Sequence, residues 1–359
     1  MMINKLKREL KRQRIRFAVF LRNDSNIEYF NSFSEVIMLV VPAAGNVFLV
    51  SSALERERAM KSSRIRSIVV LKYKNMKELV MAKLGRRIPG IVGINKLNVT
   101  LAQHKMLKRI FKGAVFKDIS KICNNIRKQK TEQEISIIRK ACSITDNILA
   151  DFARKLGKFR DEKQAAMFLR ERIVEKGCEP SFEPIVASSA NSSMPHHEPL
   201  KMDKASQIKK GFCVVDFGVK YKGYCTDITR TFYIGNPSKK EIDDYYFVLM
   251  CQEKALRMIK PGVKFSAISN DIENDFKRYG SKQLHSLGHG IGIEIHESPI
   301  ISAKSKDFVQ KGMVIAIEPG LYFAGKYGIR IEDDVLIDSN GNAKFLTHFS
   351  KKLTIINKR

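Results

Sequence analysis

The sequence has no long apolar run and no closely spaced pair of cysteines. None of its 359 residues lies in a stretch approaching the ~18 consecutive apolar residues that a membrane span requires, so we predict no membrane span. The basic N-terminal stretch is followed by only five apolar residues, Phe17–Leu21, which is too short for a signal-peptide core. The six cysteines form no CxxC pair, which favours reduced thiols in a cytoplasmic protein.

Acidic residues are few, and they are unevenly distributed. The chain has 65 Lys and Arg against 37 Asp and Glu, a net charge of +28. Residues 1–130 hold 29 basic and 8 acidic residues (net +21), whereas residues 131–359 hold 36 and 29 (net +7). The length also suggests two domains, so we predict a basic domain at 1–130 and a second domain at 131–359. Contact of the basic domain with nucleic acid is possible, but no RNA-binding motif supports it, and a lysine-rich solvated surface is the simpler interpretation.

Apolar patterning predicts a different architecture for each part. The first part begins with a basic helix at 4–16, and its β-type runs alternate with helices, which predicts an α/β domain. Strands are expected at 17–21, 36–42, 47–50 and 67–73, and helices at 26–33, 54–61 and 77–84. In the second part a capping box, Thr131-Glu132-Gln133-Glu134, opens a long amphipathic helix, and an α+β domain follows. Its further helices are expected at 161–176, 241–260 and 265–278, its strands at 183–189, 212–220, 224–233, 292–296, 314–317 and 328–337, and a type I′-like turn at 340–341.

Four carboxylates interrupt the apolar runs of the second part: Asp216, Asp227, Glu318 and Glu332. A buried ionised carboxylate costs several kcal/mol unless it is paired or bound to a metal. Arg330 alone cannot neutralise four of them. Each carboxylate taken singly could serve a turn, a cap or an exposed strand position, but this explanation fails for all of them together.

A histidine cluster supplies the fifth member of the set. His285, His289 and His296 lie within a glycine-rich stretch, and His289 stands between two glycines. Four carboxylates and one imidazole suit a hard or borderline divalent ion such as Mn²⁺, with Co²⁺, Zn²⁺ or Fe²⁺ possible. Four negative charges balance two such ions, and a hydroxide shared between the ions would be the nucleophile. The sequence has no HExxH and no G-x-S-x-G motif, and its glycine spacing precedes a predicted strand, which excludes a nucleotide loop.

Five motifs in this order resemble the pita-bread metallopeptidases, most closely the aminopeptidase P and prolidase branch. They are Val-Asp-Phe-Gly at 215–218, Gly-Tyr-Cys-Thr-Asp-Ile-Thr-Arg-Thr-Phe at 223–232, His-Ser-Leu-Gly-His-Gly-Ile-Gly at 285–292, Glu-Pro-Gly-Leu-Tyr at 318–322 and Arg-Ile-Glu-Asp at 330–333. The resemblance is strong over 131–359 and rests only on general layout over 1–130. It implies a creatinase/prolidase-like α/β N-terminal domain followed by an α+β pita-bread catalytic domain.

The resemblance also implies a role for each site residue. Two divalent ions would be held by Asp216, Asp227, His289, Glu318 and Glu332. Asp227 and Glu332 would bridge the ions, and Glu318 would also act as general base or acid. His196 and His296 would contact the substrate and the tetrahedral intermediate, and His285 and Arg330 would lie near the proline pocket. We expect His197 to be a solvated neighbour of His196, and His104 and His348 to be surface residues.

The implied function is hydrolysis of Xaa-Pro bonds, with a homodimer as the expected assembly. Our main prediction is an Xaa-Pro aminopeptidase, which releases the residue before proline, and the alternative is an Xaa-Pro dipeptidase (prolidase). A methionine aminopeptidase is disfavoured by the extra domain of ~130 residues. A metal-free binding module is a further alternative, but such relatives lose ligands, and all five are present here. The chain has no tryptophan, whereas some members of the family line the substrate pocket with one. The resemblance therefore does not predict the width of the specificity pocket.

Overall fold

The computed structural model describes residues 2–71, 76–85 and 90–357. The chain forms two compact units, Met1–Arg127 and Lys128–Arg359. The division lies close to the point where the sequence changes from strongly basic to nearly balanced charge. No helix in these ranges is long and apolar enough to cross a bilayer. All six cysteines have buried side chains.

The first unit is an α/β domain, as predicted. Its helices are α1 (Met2–Arg12), α2 (Ser25–Asn31), α3 (Arg56–Ser62), α4 (Met76–Leu84), α5 (Leu101–Ile110) and α6 (Ser120–Lys128). Its strands are β1 (Phe17–Leu21), β2 (Met38–Pro42), β3 (Phe48–Ser52), β4 (Ile68–Leu71), β5 (Ile91–Ile94) and β6 (Val115–Asp118). They form one mixed sheet in the order β4-β3-β2-β1-β5-β6. Residues 72–73 of the predicted fourth strand lie outside the described residues, and the predicted basic helix ends four residues early, at Arg12.

The second unit contains four long helices and fourteen short strands among its described residues. The helices are α7 (Glu132–Lys155), α8 (Glu162–Glu175), α9 (Lys239–Met258) and α10 (Phe265–Arg278). The strands are β7 (Glu179–Pro180), β8 (Ile185–Ser188), β9 (Gly211–Phe217), β10 (Val219–Tyr221), β11 (Tyr224–Cys225), β12 (Ile228–Ile234), β13 (Gly288–Gly290), β14 (Glu297–Ile301), β15 (Val314–Ile317), β16 (Gly320–Phe323), β17 (Tyr327–Arg330), β18 (Asp333–Ile337), β19 (Ala343–Phe345) and β20 (Ile355–Ile356). Short 3₁₀ turns span Leu156–Lys158, Ser189–Ser193 and Pro199–Lys201.

The two largest sheets of the second unit are each covered by a pair of helices. One sheet has the order β20-β12-β9-β8, and α7 and α8 bury residues such as Phe152 and Leu169 against it. The other has the order β14-β13-β15-β18-β19, and α9 and α10 bury residues such as Val248 and Phe276 against it. A single bridge between Thr229 and Glu332 joins the two sheets. The helices thus cover one face of each sheet, as the predicted α+β pita-bread architecture requires.

Local sequence signals account for two of the junctions. The predicted capping box is present: the Glu134 N–H donates to Thr131 Oγ1 (3.3 Å), and the Thr131 N–H donates to Glu134 Oε2 (2.8 Å). Between β10 and β11, Lys222 and Gly223 have φ of 48° and 84°. Positive φ at both central residues is the mark of a type I′ hairpin turn, whose twist suits the flanking strands.

Five predictions in the second unit were wrong in detail. Two are single strands that the structure divides: 212–220 is β9 and β10, and 224–233 is β11 and β12. The predicted strand 292–296 is instead Gly288–Gly290, and the chain then bends. The predicted strand 328–337 is broken between Arg330 and Asp333, because the backbone N–H of Glu332 turns to donate to Thr229 O (3.1 Å). The turn at 340–341 is not type I′, since only Gly341 has positive φ (89°).

Candidate metal centre

The five candidate ligands come from both sheets and meet where the sheets join. Asp216 lies on β9, and Asp227 directly precedes β12, the antiparallel partner of β9. His289 is the central residue of β13, and Glu318 follows β15, which pairs with β13. Glu332 lies between β17 and β18, at the bridge to β12. All are buried except Glu318, which is partly exposed.

The ligand atoms form overlapping groups of three around His289 and Glu332. The Nε2 atom of His289 lies 3.6 Å from Asp227 Oδ2, 3.8 Å from Glu318 Oε1 and 3.9 Å from Glu332 Oε1. Ligand atoms of Asp216, Asp227 and Glu332 lie within 4.8 Å of one another, and so do those of His289, Glu318 and Glu332. The carboxylate of Glu332 therefore belongs to both groups, at the centre of the cluster.

Three carboxylates of the cluster each have one oxygen without a hydrogen-bond partner. Asp216 Oδ1, Asp227 Oδ1 and Glu332 Oε1 are buried without a hydrogen-bond donor. Burial, together with the neighbouring carboxylates, raises the pKa of Asp227 and of Glu332 well above the ordinary range. Burial raises the pKa of Glu318 to about 8. Oxygen atoms that are buried, unpartnered and this close together fit a site for divalent cations.

His289 is held in the form that a metal ligand needs. Its Nδ1 lies 3.1 Å from Gly290 O, so Nδ1 carries the proton and the lone pair of Nε2 points toward the carboxylates. Burial, followed by the charge of His296, lowers the pKa of His289 to about 4. The imidazole is therefore neutral over the physiological range and free to bind a metal ion.

Hydrogen bonds fix the carboxylates from outside the cluster. The Arg330 guanidinium donates from Nη2 to Asp216 Oδ2 (2.6 Å), and the Thr229 hydroxyl donates to Glu332 Oε2 (2.6 Å). The backbone N–H of Asp227 donates to Asp334 Oδ2 (3.0 Å). The first two bonds each use one oxygen of a cluster carboxylate and leave the other oxygen without a donor, whereas the third holds the backbone of Asp227.

A second layer, which sequence reasoning missed, supports Glu332 and the strand after it. The buried Arg230 donates from Nη1 to Glu332 O (2.6 Å) and forms an ion pair with Asp333. Gln252 on α9 and Thr347 also donate to the Asp333 carboxylate, at 2.9 and 2.7 Å. The signal in the sequence was the run of three acids at 332–334 within an apolar strand, of which only the first was assigned a role.

The cluster opens into a cavity of about 550 Å³ that also holds the four predicted substrate-side residues. His196 and His296 are exposed at its wall, and the His296 ring contacts the His289 ring edge-to-face with centroids 4.4 Å apart. His285 and Arg330 share a partner, since His285 Nε2 lies 3.0 Å from the Tyr322 hydroxyl and Arg330 Nη1 donates to it (2.8 Å). Phe182, Ile185 and Ile300 add an apolar wall. The cavity could therefore bind a small molecule with both charged and apolar parts.

The prediction that His197 is solvated was wrong. Its side chain is buried, and its Nε2 lies 2.9 Å from Glu162 Oε2. His348 is exposed, as predicted, whereas His104 is only partly exposed and packs against Phe116. The prediction failed because nothing in the sequence around His197 indicates that Glu162, 35 residues earlier, is its buried partner.

The family and the relatives agree with this geometry. The model of metallopeptidase family M24 matches residues 136–339, and that of the creatinase/prolidase N-terminal domain matches residues 2–129. The chain is 34% identical over 348 residues to an Xaa-Pro dipeptidase of Pyrococcus furiosus, which covers 93% of this chain and 94% of the relative. Among solved structures, the prolidase of Pyrococcus horikoshii matches with a TM-score of 0.87 and 29% identity, and the match covers 98% of this chain and 99% of the prolidase chain. The X-Pro aminopeptidase of Thermotoga maritima matches with a TM-score of 0.86 and 26% identity, covering 97% and 100%. The chain therefore belongs to metallopeptidase family M24 and is a metal-dependent hydrolase with a creatinase/prolidase-type N-terminal domain.

Proposed function

We propose that this enzyme hydrolyses Xaa-Pro bonds and that dipeptides are its main substrates. The observation that carries the proposal is the buried group of four carboxylates and one histidine, three of whose oxygens have no hydrogen-bond donor. The relatives supply the substrate class, since both the Pyrococcus furiosus relative and the Pyrococcus horikoshii structure described above carry prolidase names. The sequence favoured the aminopeptidase, but these names support the dipeptidase better.

The proposed cofactor is a pair of divalent ions, with Mn²⁺ first and Co²⁺, Zn²⁺ or Fe²⁺ as alternatives. Their ligands would be Asp216, Asp227, His289, Glu318 and Glu332, a set of oxygen donors and one imidazole that suits these ions. When bound, the ions would polarise the scissile carbonyl and lower the pKa of the attacking water.

Proton transfer is proposed for Glu318. It is the one partly exposed carboxylate of the cluster, and its Oε2 lies 3.6 Å from His285 Nδ1, at the cavity side. A carboxylate there could accept the proton of the attacking water and deliver it to the proline nitrogen as that nitrogen leaves. An Xaa-Pro amide has no N–H, so the leaving nitrogen must gain a proton to depart as a secondary amine.

His196 and His296 would orient the substrate carbonyl. Both line the cavity into which the carboxylates open, and burial lowers the pKa of His296. A neutral imidazole can donate its N–H to the oxygen that gains negative charge in the transition state. Arg330 and His285, joined through Tyr322, form the polar end of the cavity and would bind the proline side of the substrate.

A peptide panel with metal replacement tests the proposal. Chelated protein is assayed with Xaa-Pro, Xaa-Pro-Yaa and longer peptides before and after addition of Mn²⁺, Co²⁺, Zn²⁺ or Fe²⁺. We expect no turnover without metal, restoration by one of these ions, and a clear preference for the dipeptide. Glu332→Gln should abolish the restored activity, and Glu253→Gln, a matched change on the exposed side of α9, should not.

Two results would contradict different parts of the proposal. Equal turnover of longer Xaa-Pro peptides would favour the aminopeptidase. Protein that binds none of these metals and cleaves no peptide after their addition would instead favour the metal-free binding module.

The assembly and the location remain parts of the proposal. A homodimer is expected from the resemblance, and size-exclusion chromatography with light scattering tests it. A cytoplasmic location is expected from the scattered cysteines. Contact of the basic N-terminal unit with nucleic acid is a hypothesis that rests on charge alone. Binding of RNA that persists above about 0.2 M salt would support it, because non-specific phosphate contacts weaken steeply with salt.

A further inference from the structure

The buried histidine beside His196 forms part of a compact polar network. His197 is 4% exposed and Glu162, the first residue of α8, is 1% exposed. His197 Nε2 donates to Glu162 Oε2 (2.9 Å), and Asn191 Nδ2 donates to the same oxygen (2.9 Å). The other oxygen, Oε1, accepts from the backbone N–H and the hydroxyl of Ser188, at 2.6 and 2.8 Å. Four donors thus satisfy one fully buried carboxylate.

His197 is the only cationic-type side chain in this network. Within the described ranges, no Lys or Arg nitrogen lies within 4 Å of the Glu162 carboxylate, whose ion-pair partner is His197. A buried charge-assisted hydrogen bond is stronger than a neutral one, and its loss leaves a buried acceptor unsatisfied. The pair therefore fixes the segment that contains His197 far more firmly than a solvated side chain would.

That segment also carries His196 and lies between two attachment points. On the interior side His197 is bonded to Glu162, and on the cavity side Arg330 Nη1 lies 3.4 Å from Pro195 O. The His197 N–H donates to Met194 O (3.2 Å), which closes a tight turn around Pro195 and His196. His196 is exposed at the top of this turn and lines the cavity together with His285 and His296.

We propose that His197 and Glu162 are positioning residues that hold His196 in its place in the active-site cavity. The inference rests on the proposed function, because it takes His196 as the residue that contacts the substrate. Neither member of the pair lines the cavity or belongs to the metal cluster. Their effect on catalysis acts through the backbone turn at 194–197 and vanishes when the His196 side chain is absent.

The test compares His197→Leu, which removes the donor, with His197→Gln, whose amide can reach Glu162 from about the same place as Nε2. His197→Leu should lower kcat about tenfold to a hundredfold, with a smaller change in KM. This is the range found when the loss of a supporting contact lets a catalytic group move out of place. His197→Gln should restore most of kcat. In the His196→Ala background, His197→Leu should change kcat less than twofold, because two groups that act as one unit are not additive. His348→Leu, on an exposed histidine, serves as the matched control.

A second measurement keeps the inference testable if the peptidase activity fails. Trypsin can cleave after Lys201 and Lys204, both exposed in the segment that follows the turn. Release of the turn should speed cleavage there severalfold in His197→Leu and in the milder Glu162→Asp, but not in His197→Gln. This comparison needs no substrate, so an inactive wild-type protein would count against the proposed function only.

The positioning role is overturned if His197→Leu lowers the melting temperature while kcat of the folded enzyme stays at the wild-type value, because the pair would then stabilise the fold without placing His196. It is equally overturned if the kcat losses of His196→Ala and His197→Leu multiply, or if trypsin cleaves all variants at the wild-type rate.

Discussion

Replacement of Asp227 by Asn should separate metal binding from folding. Asp227 contributes one orphaned, buried oxygen (Oδ1) to the cluster, and its other oxygen, Oδ2, lies 3.6 Å from His289 Nε2. The backbone N–H that anchors it to Asp334 is unchanged by the substitution. Burial and the surrounding carboxylates raise the pKa of Asp227 well above its ordinary value, which favours the protonated, neutral side chain in the metal-free protein. Asn has nearly the same shape and charge as that protonated acid.

The expected magnitudes follow from this similarity. Without metal at pH 7, the free energy of unfolding should change by less than about 1 kcal/mol, since no buried charge is created or removed. With metal at a hundred times its dissociation constant, the wild type gains about 2.7 kcal/mol, which corresponds to about 5–11 °C for a domain of this size. The variant should lose most of that gain and lose more than about a hundredfold in kcat.

Thermal unfolding with and without metal, together with isothermal titration calorimetry, measures both effects. Asp243→Asn, an exposed change on α9, is the matched control and should keep the wild-type metal response. The reasoning would be refuted by a variant that binds metal and turns over substrate normally. It would also be refuted by a metal-free variant that unfolds several kcal/mol more easily, because Asp227 would then be stabilising the fold itself.

Three further outcomes follow from the same geometry. Metal uptake near pH 7 should release protons, because burial raises the pKa of Glu318 to about 8 and its proton must leave before the carboxylate binds a metal ion. The affinity for metal should therefore fall as the pH falls, and calorimetry in buffers of different ionisation enthalpy counts the released protons. Gly218→Ala should destabilise the protein by about 3 kcal/mol in chemical unfolding, since its Cβ would lie 1.7 Å from Thr226 O; an unchanged midpoint would show that the hairpin relaxes freely. Lys130→Met should cost about 3–5 kcal/mol, because its ammonium forms a buried ion pair with Glu297 (2.8 Å), and a cost below 1 kcal/mol would contradict that burial.

The sequence predicted the elements whose signals are local. The helix opened by Thr131 and Glu134 begins where the capping box indicates, and the helix at 265–278 has the predicted bounds, because a 3.6-residue period is carried within each segment. The α/β and α+β architectures followed from the order of these segments. The position of the carboxylates in apolar surroundings was likewise visible, because an ionisable residue in a buried run is costly wherever its partners lie.

The missing parts depend on contacts between residues far apart in sequence. The strand expected at 292–296 lies instead at Gly288–Gly290, where it pairs with β14 and β15. A side chain at Gly290 would lie 2.4 Å from Ser298 O, a close approach that no periodicity reveals. Glu332 leaves its strand because Thr229, about a hundred residues earlier, offers a backbone carbonyl and a hydroxyl. His197 is buried because Glu162, 35 residues earlier, needs a donor. Such pairings require the tertiary structure.

The charge around the metal cluster predicts how the enzyme would discriminate dipeptides from longer peptides. The two divalent ions that we propose would balance the four carboxylates of the cluster, and Arg330, which bonds to Asp216, adds one positive charge there. Glu183, Glu198 and Lys201 also line the cavity, so an anionic group of the substrate would be attracted locally, beside Arg330.

The C-terminal carboxylate of Xaa-Pro supplies that charge beside the proline ring, whereas a longer peptide presents a neutral amide there. A hydrogen bond to a charged group contributes about 1.5–3 kcal/mol, so converting Xaa-Pro to its carboxamide should raise KM about tenfold to a hundredfold. Steady-state kinetics on the acid and amide of one dipeptide measure the ratio, and Arg330→Met should bring the two KM values together. Equal KM values in the wild type would mean that the positive charge faces away from the substrate carboxylate, and the preference for dipeptides would then need a steric cause.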